Sequence, residues 1–199
     1  MGRLAKKNIL LIIPKDYYNE EELDPLVVIF KKEEATVKIA SAKFKEAVGM
    51  RNGRVMPDML IVDAMEGITG DSYVTSAKGT RQVLGVFHGV IIIGGRGTSR
   101  YVWTDKLVNL LLSDRLRSAM IVAGIGTGVP SLGKAGLLQS MEVTTCDDKK
   151  SLEALEEANA FVVDEDVVVH DRIITARDAS AVEKFAEAMI EAVAQTQLK

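Results

Sequence analysis

Between Ala119 and Leu138 the chain reads AMIVAGIGTGVPSLGKAGLL, and no other stretch limits the fold as strongly. Met120 to Ala123 form an apolar, partly β-branched run of the kind that makes a strand buried on both faces. Gly124-Ile125-Gly126-Thr127-Gly128 then turns the chain, and a short helical segment ends at Ala135-Gly136. A strand, a tight glycine turn and a helix is the layout by which α/β enzymes lift a reactive group above a sheet. Here the layout has no reactive group, since no Cys, Ser, His or Asp lies between Gly124 and Gly128.

The rest of the chain supports the α/β reading. Asn8 to Pro14 is a short apolar run, expected as the first core strand. Asn19 is placed to cap a helix, with Glu22 at capping-box spacing and Pro25 in an early turn where its missing N–H costs little. Leu23, Leu26, Val27 and Phe30 then share one helical face, and Ala35 to Ala40 reads as the next strand. Residues 1–41 thus form a βαβ unit, which implies a parallel sheet.

Residues 45–88 read as an irregular excursion of turns and short strands at the sheet edge, with a strand over Met59 to Val62 and a run of small polar residues from Glu66 to Ser76. This excursion is the expected cover of a site or contact between subunits. Val90 to Ile93 is a core strand closed by Gly94-Gly95-Arg96. A helix capped by Thr98 or Ser99 follows, in which Trp103, Leu107, Leu110 and Leu111 share a face. Strands are expected at Glu142 to Cys146, Phe161 to Val163, Val167 to Val169 and Arg172 to Thr175, with His170-Asp171 as a hairpin turn. A helix is expected over Ser151 to Glu157. The last helix opens at Ser180, with Val182, Phe185, Ala186, Met189, Ile190 and Val193 as its buried stripe.

A chain of 199 residues suits one domain with a substantial core. A net charge of −3 argues against a nucleic-acid or anionic-membrane surface. No apolar run reaches the ~18–20 residues of a membrane span. Cys146 is the only cysteine, which excludes an internal disulfide and fits a cytoplasmic protein.

Four stretches, in this order, resemble the PfpI/ThiJ superfamily of class I glutamine-amidotransferase-like proteins. Leu10 to Leu26 is similar to the family's first strand and its Glu-bearing loop before a Pro. Gly89 to Arg96, GVIIIGGR, is similar to the strand that ends in a Gly-Gly-Arg turn. Ala119 to Leu138 is similar to the nucleophile elbow, and Val162 to Arg177 to the closing hairpin. The resemblance implies a flavodoxin-like three-layer α/β sandwich with a mostly parallel sheet, in a single domain over 1–199. It also implies a homodimer or higher homo-oligomer.

The departures from the family pattern fall on the chemistry. Counted back from Ala135-Gly136, Gly126 stands where the family has its nucleophilic Cys, and Thr127 where protease-type members have His. Val129 stands where they have Pro, and Ser99 where a neighbouring subunit's carboxylate is usual. Counted back four from Pro25, Glu21 keeps the position of the acid that pairs with the Cys. Glycine at 126 preserves a left-handed elbow without strain and removes the thiolate. The resemblance thus gives Glu21, Gly95, Arg96, Gly126 and Thr127 as ligand-binding candidates, with Glu21 as the retained acid.

The residues leave three readings open. The first is a binding or regulatory protein without cysteine chemistry. The second is a protease-, amidase- or glyoxalase/deglycase-like hydrolase with a non-standard nucleophile, for which Thr127, Ser131 and Cys146 are candidates and backbone N–H groups near Gly95 and Thr127 the oxyanion hole. The third is an anionic small ligand held at the glycine turn, with Arg96 adding charge. As a dinucleotide fingerprint the turn lacks the third glycine, at Val129, although Asp147 follows about 20 residues on. Against site roles, Glu20, Glu21 and Glu22 also suit a helix N-terminus, and Cys146 suits a small apolar position at a strand end. His88 suits a packed strand base and His170 a turn. No metal-ligand spacing is present, and neither a metal nor a cofactor is expected. The expected partner is a small molecule.

Overall fold

The computed structural model describes residues 2–65, 68–69 and 83–197. Its elements follow the chain as β1 (Asn8–Ile12), α1 (Glu20–Lys32), β2 (Thr36–Ser41), β3 (Met59–Leu60), α2 (Ile61–Met65), β4 (Gly89–Ile92), α3 (Lys106–Arg117), β5 (Ile121–Ile125), α4 (Val129–Lys134), α5 (Lys149–Glu157), β6 (Val167–His170), β7 (Ile173–Ala176) and α6 (Val182–Ala194). One seven-stranded sheet has the order β6-β7-β5-β4-β1-β2-β3, and every pairing is parallel except β6 with β7. This is the expected flavodoxin-like α/β architecture.

Alternation along the strands builds two cores. Ile9, Leu11 and Ile13 face one side of the sheet, with Ile91, Ile93, Ile121, Ala123 and Ile125, and are covered by α1 and α6. Leu10, Ile12, Val90, Ile92 and Val122 face the other side, covered by Val108, Leu111 and Leu112 of α3, Leu132 of α4 and Leu155 of α5. Both faces of the central strands are thus buried, which is why they read as unbroken apolar runs. All six expected stripe residues of α6 are buried. Its lead-in is a single 3₁₀ turn, Ala179–Ala181, capped by the Asp178 side chain.

Three helix and strand readings need correction. Thr98–Tyr101 makes one isolated helical turn, and α3 starts afresh at Lys106, where the Asp105 carboxylate accepts from the N–H groups of Leu107 and Val108. The restart rotates the helix, so Leu107 and Leu110 are exposed while Val108, Leu111 and Leu112 are buried. The strand expected over Met59 to Val62 ends at Leu60, because Ile61 opens α2. The strand expected to reach Cys146 stops at Val143.

Part of the 45–88 excursion is a hairpin of Ala47–Val48 with Arg54–Val55. The Glu20 carboxylate ties its turn to α1 by accepting from the N–H groups of Arg51 at 2.7 Å and Gly53 at 3.0 Å. Most of the polar run expected from Glu66 to Ser76 lies outside the described residues.

Candidate functional site

The chain runs outward from β1 through β2 to β3, then returns to β4 on the other side of β1. Such a reversal leaves a crevice beyond the carboxyl ends of the two strands where it occurs, and open α/β sheets place ligands there. Ile12 of β1 pairs with Ile92 of β4, and Ile92 with Gly124 of β5. Two residues further on, Gly94 and Gly126 therefore stand level at the sheet edge. A cleft of about 460 Å³ opens above them and reaches Glu22, Arg96, Thr127, Cys146 and Asp178.

Gly126 has φ +55° and is buried. This is the left-handed conformation that costs other residues roughly 1–2 kcal/mol. A Cβ built on it would lie 2.6 Å from Glu22 Oε1, and its three nearest atoms all belong to Glu22. The elbow is thus present, and the direction a side chain would take is aimed at a carboxyl group. Gly128 has a different purpose, because a Cβ there would lie 2.2 Å from the carbonyl oxygen of Ile92. The glycine spacing reflects close packing of the elbow on β4. The helix that follows, α4, has only six residues.

The acid beside the elbow is Glu22, not Glu21. Glu21 points outward and pairs with Arg51 at 2.9 Å, both exposed. Glu22 is 2 % exposed. Its Oε2 accepts from the Gly94 N–H at 2.7 Å, and its Oε1 from the Asn19 side-chain amide at 3.0 Å. Burial pushes this carboxyl up to about 8; the two hydrogen bonds oppose the shift, and the charges of Asp178 and Glu21 add to it. Burial thus favours the protonated form of Glu22, and its Oε1 faces the space above Gly126. The capping-box expectation changes as well. The Asn19 side chain does cap α1, by accepting from the Glu21 N–H at 3.1 Å, but its own backbone N–H donates to the Gly94 carbonyl at 2.9 Å. The Gly94-Gly95 turn is thus clasped to the start of α1.

Thr127 is tied to the same turn. Its Oγ1 accepts from the Gly95 N–H at 2.8 Å and donates to the Gly95 carbonyl at 3.0 Å. The hydroxyl proton is committed, which removes Thr127 as a ready nucleophile. The Gly95 N–H is committed too, which removes it from the expected oxyanion hole. Trp103 fixes the elbow from outside, its indole N–H donating to the Thr127 carbonyl at 2.7 Å. Ser131 is buried inside α4.

Cys146 is not at a strand end but in the irregular segment after β5 and α4, on the cleft wall. Burial pushes its thiol up, hydrogen bonding to Thr145 opposes this, and the neighbouring Asp148 raises it further. These are the surroundings of an unreactive thiol. Thr145, which the sequence reading did not single out, donates its hydroxyl to the Gly126 carbonyl at 2.9 Å and holds the elbow from the other side. Asn19, Asp148, Lys150 and Asp178 also reach the cleft and were missed, since nothing in their local sequence marks them.

Arg96 lies on the cleft rim, its guanidinium 5.5 Å from the Tyr17 ring centre. Ser99 lines the cleft as well. His88 is buried at the base of β4, where Nδ1 accepts from the Asn8 N–H at 3.0 Å, and His170 is the exposed last residue of β6. Among the described residues no group of three His, Cys, Asp or Glu side chains is placed to hold a metal ion, and no helix is long and apolar enough to cross a membrane.

Residues 7–192 match the model of the DJ-1/PfpI family. The chain belongs to the DJ-1/PfpI family. An uncharacterized protein of Methanocaldococcus jannaschii is 26 % identical over 187 residues, which cover 94 % of this chain and 82 % of the relative. The solved ThiJ/PfpI domain protein of Brachyspira murdochii superposes with a TM-score of 0.80 at 26 % identity, covering 97 % of this chain and 99 % of that one. DJ-1beta of Drosophila melanogaster gives 0.77 at 21 % identity, over 98 % and 92 % of the two chains, a likeness of fold. In this chain the turn that follows β5 is built on glycine at 126.

Proposed function

We propose that this protein is a divergent DJ-1/PfpI member that binds a small ligand without covalent chemistry, as a binding or regulatory protein. The observation that carries the reading is Gly126, an elbow residue in left-handed conformation with no side chain, aimed at the buried acid Glu22. A thiolate mechanism needs its nucleophile to form the covalent intermediate, and glycine supplies none. The surrounding bonds from Trp103, Thr127 and Thr145 hold the elbow in place all the same, so the cleft is a formed cavity.

A hydrolase with a non-standard nucleophile is the second reading, and Cys146 on the cleft wall favours it over Thr127 or Ser131. Its raised thiol weighs against it. The experiment is turnover of peptidase, amidase and methylglyoxal substrates by the wild type and by Cys146→Ser. The proposal expects no turnover by either. Turnover that Cys146→Ser abolishes would overturn it. The single thiol supports a cytoplasmic protein, and exposed Met56 on the excursion, with exposed Phe44 just before it, supports a homodimer or higher homo-oligomer.

A further inference from the structure

The floor and rim of the cleft differ in charge. On the floor, Glu22 Oε1 is the atom a side chain at 126 would cover, so glycine there leaves a niche of the cleft open to that oxygen. On the rim stand two cations, Arg96 and Lys150, and two carboxylates, Asp148 and Asp178. The carboxylates are engaged in capping. Asp148 accepts from the N–H and the hydroxyl of Ser151, both at 2.9 Å, and Asp178 from the N–H of Ser180 at 2.8 Å and its hydroxyl at 2.6 Å. Among the described residues neither Arg96 nor Lys150 forms an ion pair.

We infer that the cleft binds a small organic carboxylate, one oxygen of which sits in the niche above Gly126 and accepts a hydrogen bond from the Glu22 carboxyl, with Arg96 and Lys150 balancing its charge. The inference rests on the non-covalent reading above and gives that ligand a chemical class. A buried donor with no partner costs more than a weak bond gains, so an acceptor entering the niche satisfies a group that water alone would otherwise serve. Carbonyl or amide ligands would satisfy Glu22 equally but bring no charge to pair with Arg96 and Lys150, whereas Asp148 and Asp178 keep their own charges while capping.

The groups facing Glu22 set the pH response. They are Glu21 on its own helix, Asp178 before α6, Arg96 after β4, Cys146 and Asp148 on the segment leading into α5, and Lys150 in the first turn of α5. Because burial keeps the Glu22 proton on up to about pH 8, carboxylate binding weakens above that pH, by about tenfold per pH unit for one linked proton.

The test uses the intact protein with acetate, propionate and benzoate, and with acetamide, propionamide and benzamide as neutral counterparts. Affinities are read from amide chemical-shift titrations between pH 5.5 and 9.5. The expected result is carboxylate binding at least tenfold tighter than amide binding at pH 6.5, with shifts centred on Gly94, Gly95 and Gly126. Arg96→Gln, an exposed change, weakens carboxylate binding several-fold. Glu22→Gln keeps a donor at the niche, so binding persists at pH 6.5 but its loss above pH 8 disappears. Equal binding of amides and carboxylates at those same amides would overturn the carboxylate assignment and leave the non-covalent reading standing. No shift at those amides with any of the probes would also overturn it. The turnover assay, by contrast, decides the non-covalent reading on its own.

Discussion

Glu22 makes the stability of this protein depend on pH in a direction opposite to that of most carboxylates. Its folded-state value is raised to about 8 from an ordinary 4.5 by burial. Below 4.5 the group is neutral in both the folded and unfolded chain, and the stability tied to its proton is fully present. Between 4.5 and 8 the unfolded chain gives the proton up while the folded chain keeps it. Stability therefore falls as pH rises, by about 1.4 kcal/mol per pH unit for one proton. Above 8 both states are ionised and the contribution is gone. Over the whole interval the loss is on the order of 5 kcal/mol, comparable with the total stability of a marginal domain. Glu22→Gln removes the titration while keeping an acceptor for the Gly94 N–H. It gives up the Asn19 bond, at a pH-independent cost of about 1 kcal/mol. Urea unfolding of both proteins from pH 5 to 9 isolates the group, because titrations not coupled to Glu22 cancel in the difference. The variant should be the less stable protein at pH 5 and the more stable one at pH 8. Stability curves that stay parallel across this range would refute a proton held on Glu22.

Gly126→Ala should cost about 1–2 kcal/mol for the left-handed backbone, with a further penalty from a Cβ 2.6 Å from Glu22 Oε1, read as a lowered urea midpoint with unchanged slope. Thr127→Val should cost about 1–3 kcal/mol, because it strips the Gly95 N–H and carbonyl of their shared partner; thermal unfolding measures it. Light scattering should return the mass of a dimer or higher oligomer, and a clean monomer would remove the excursion as a subunit contact.

The sheet was legible because its central strands are buried on both faces and the chain writes them as apolar runs. The stripe of α6 was legible for the same reason, in the helical period. Phase was harder to read. One helix extended from Thr98 gives Leu107 and Leu110 the same face as Trp103 and Leu111, whereas the restart behind Asp105 leaves them exposed and Leu111 buried. The site acid shows the same difficulty at single-residue scale. Counting from Pro25 chose Glu21, whereas Glu22 lies one turn before Leu26 and two before Phe30, on the buried stripe. Helical period, applied to the acids as it was to the leucines, carries the signal that selects Glu22. Arg96, Gly95 and Thr127 line one cleft with Gly126. Asn19, Thr145 and Asp178 reach the site only through the fold, since each comes from a loop whose local sequence says capping and turns and nothing of what stands across the cleft.

The central claim is that Gly126 occupies a nucleophile position left without its nucleophile. Its most direct test is the alkylation of Gly126→Cys by iodoacetamide at pH 7, followed by intact mass and peptide mapping, beside the wild type. The account predicts rapid single alkylation at position 126 in the variant, with Cys146 unmodified over the same time in both proteins. Slow or absent labelling at 126, or prompt labelling of Cys146 in the wild type, would contradict it and move the chemistry to the cleft wall.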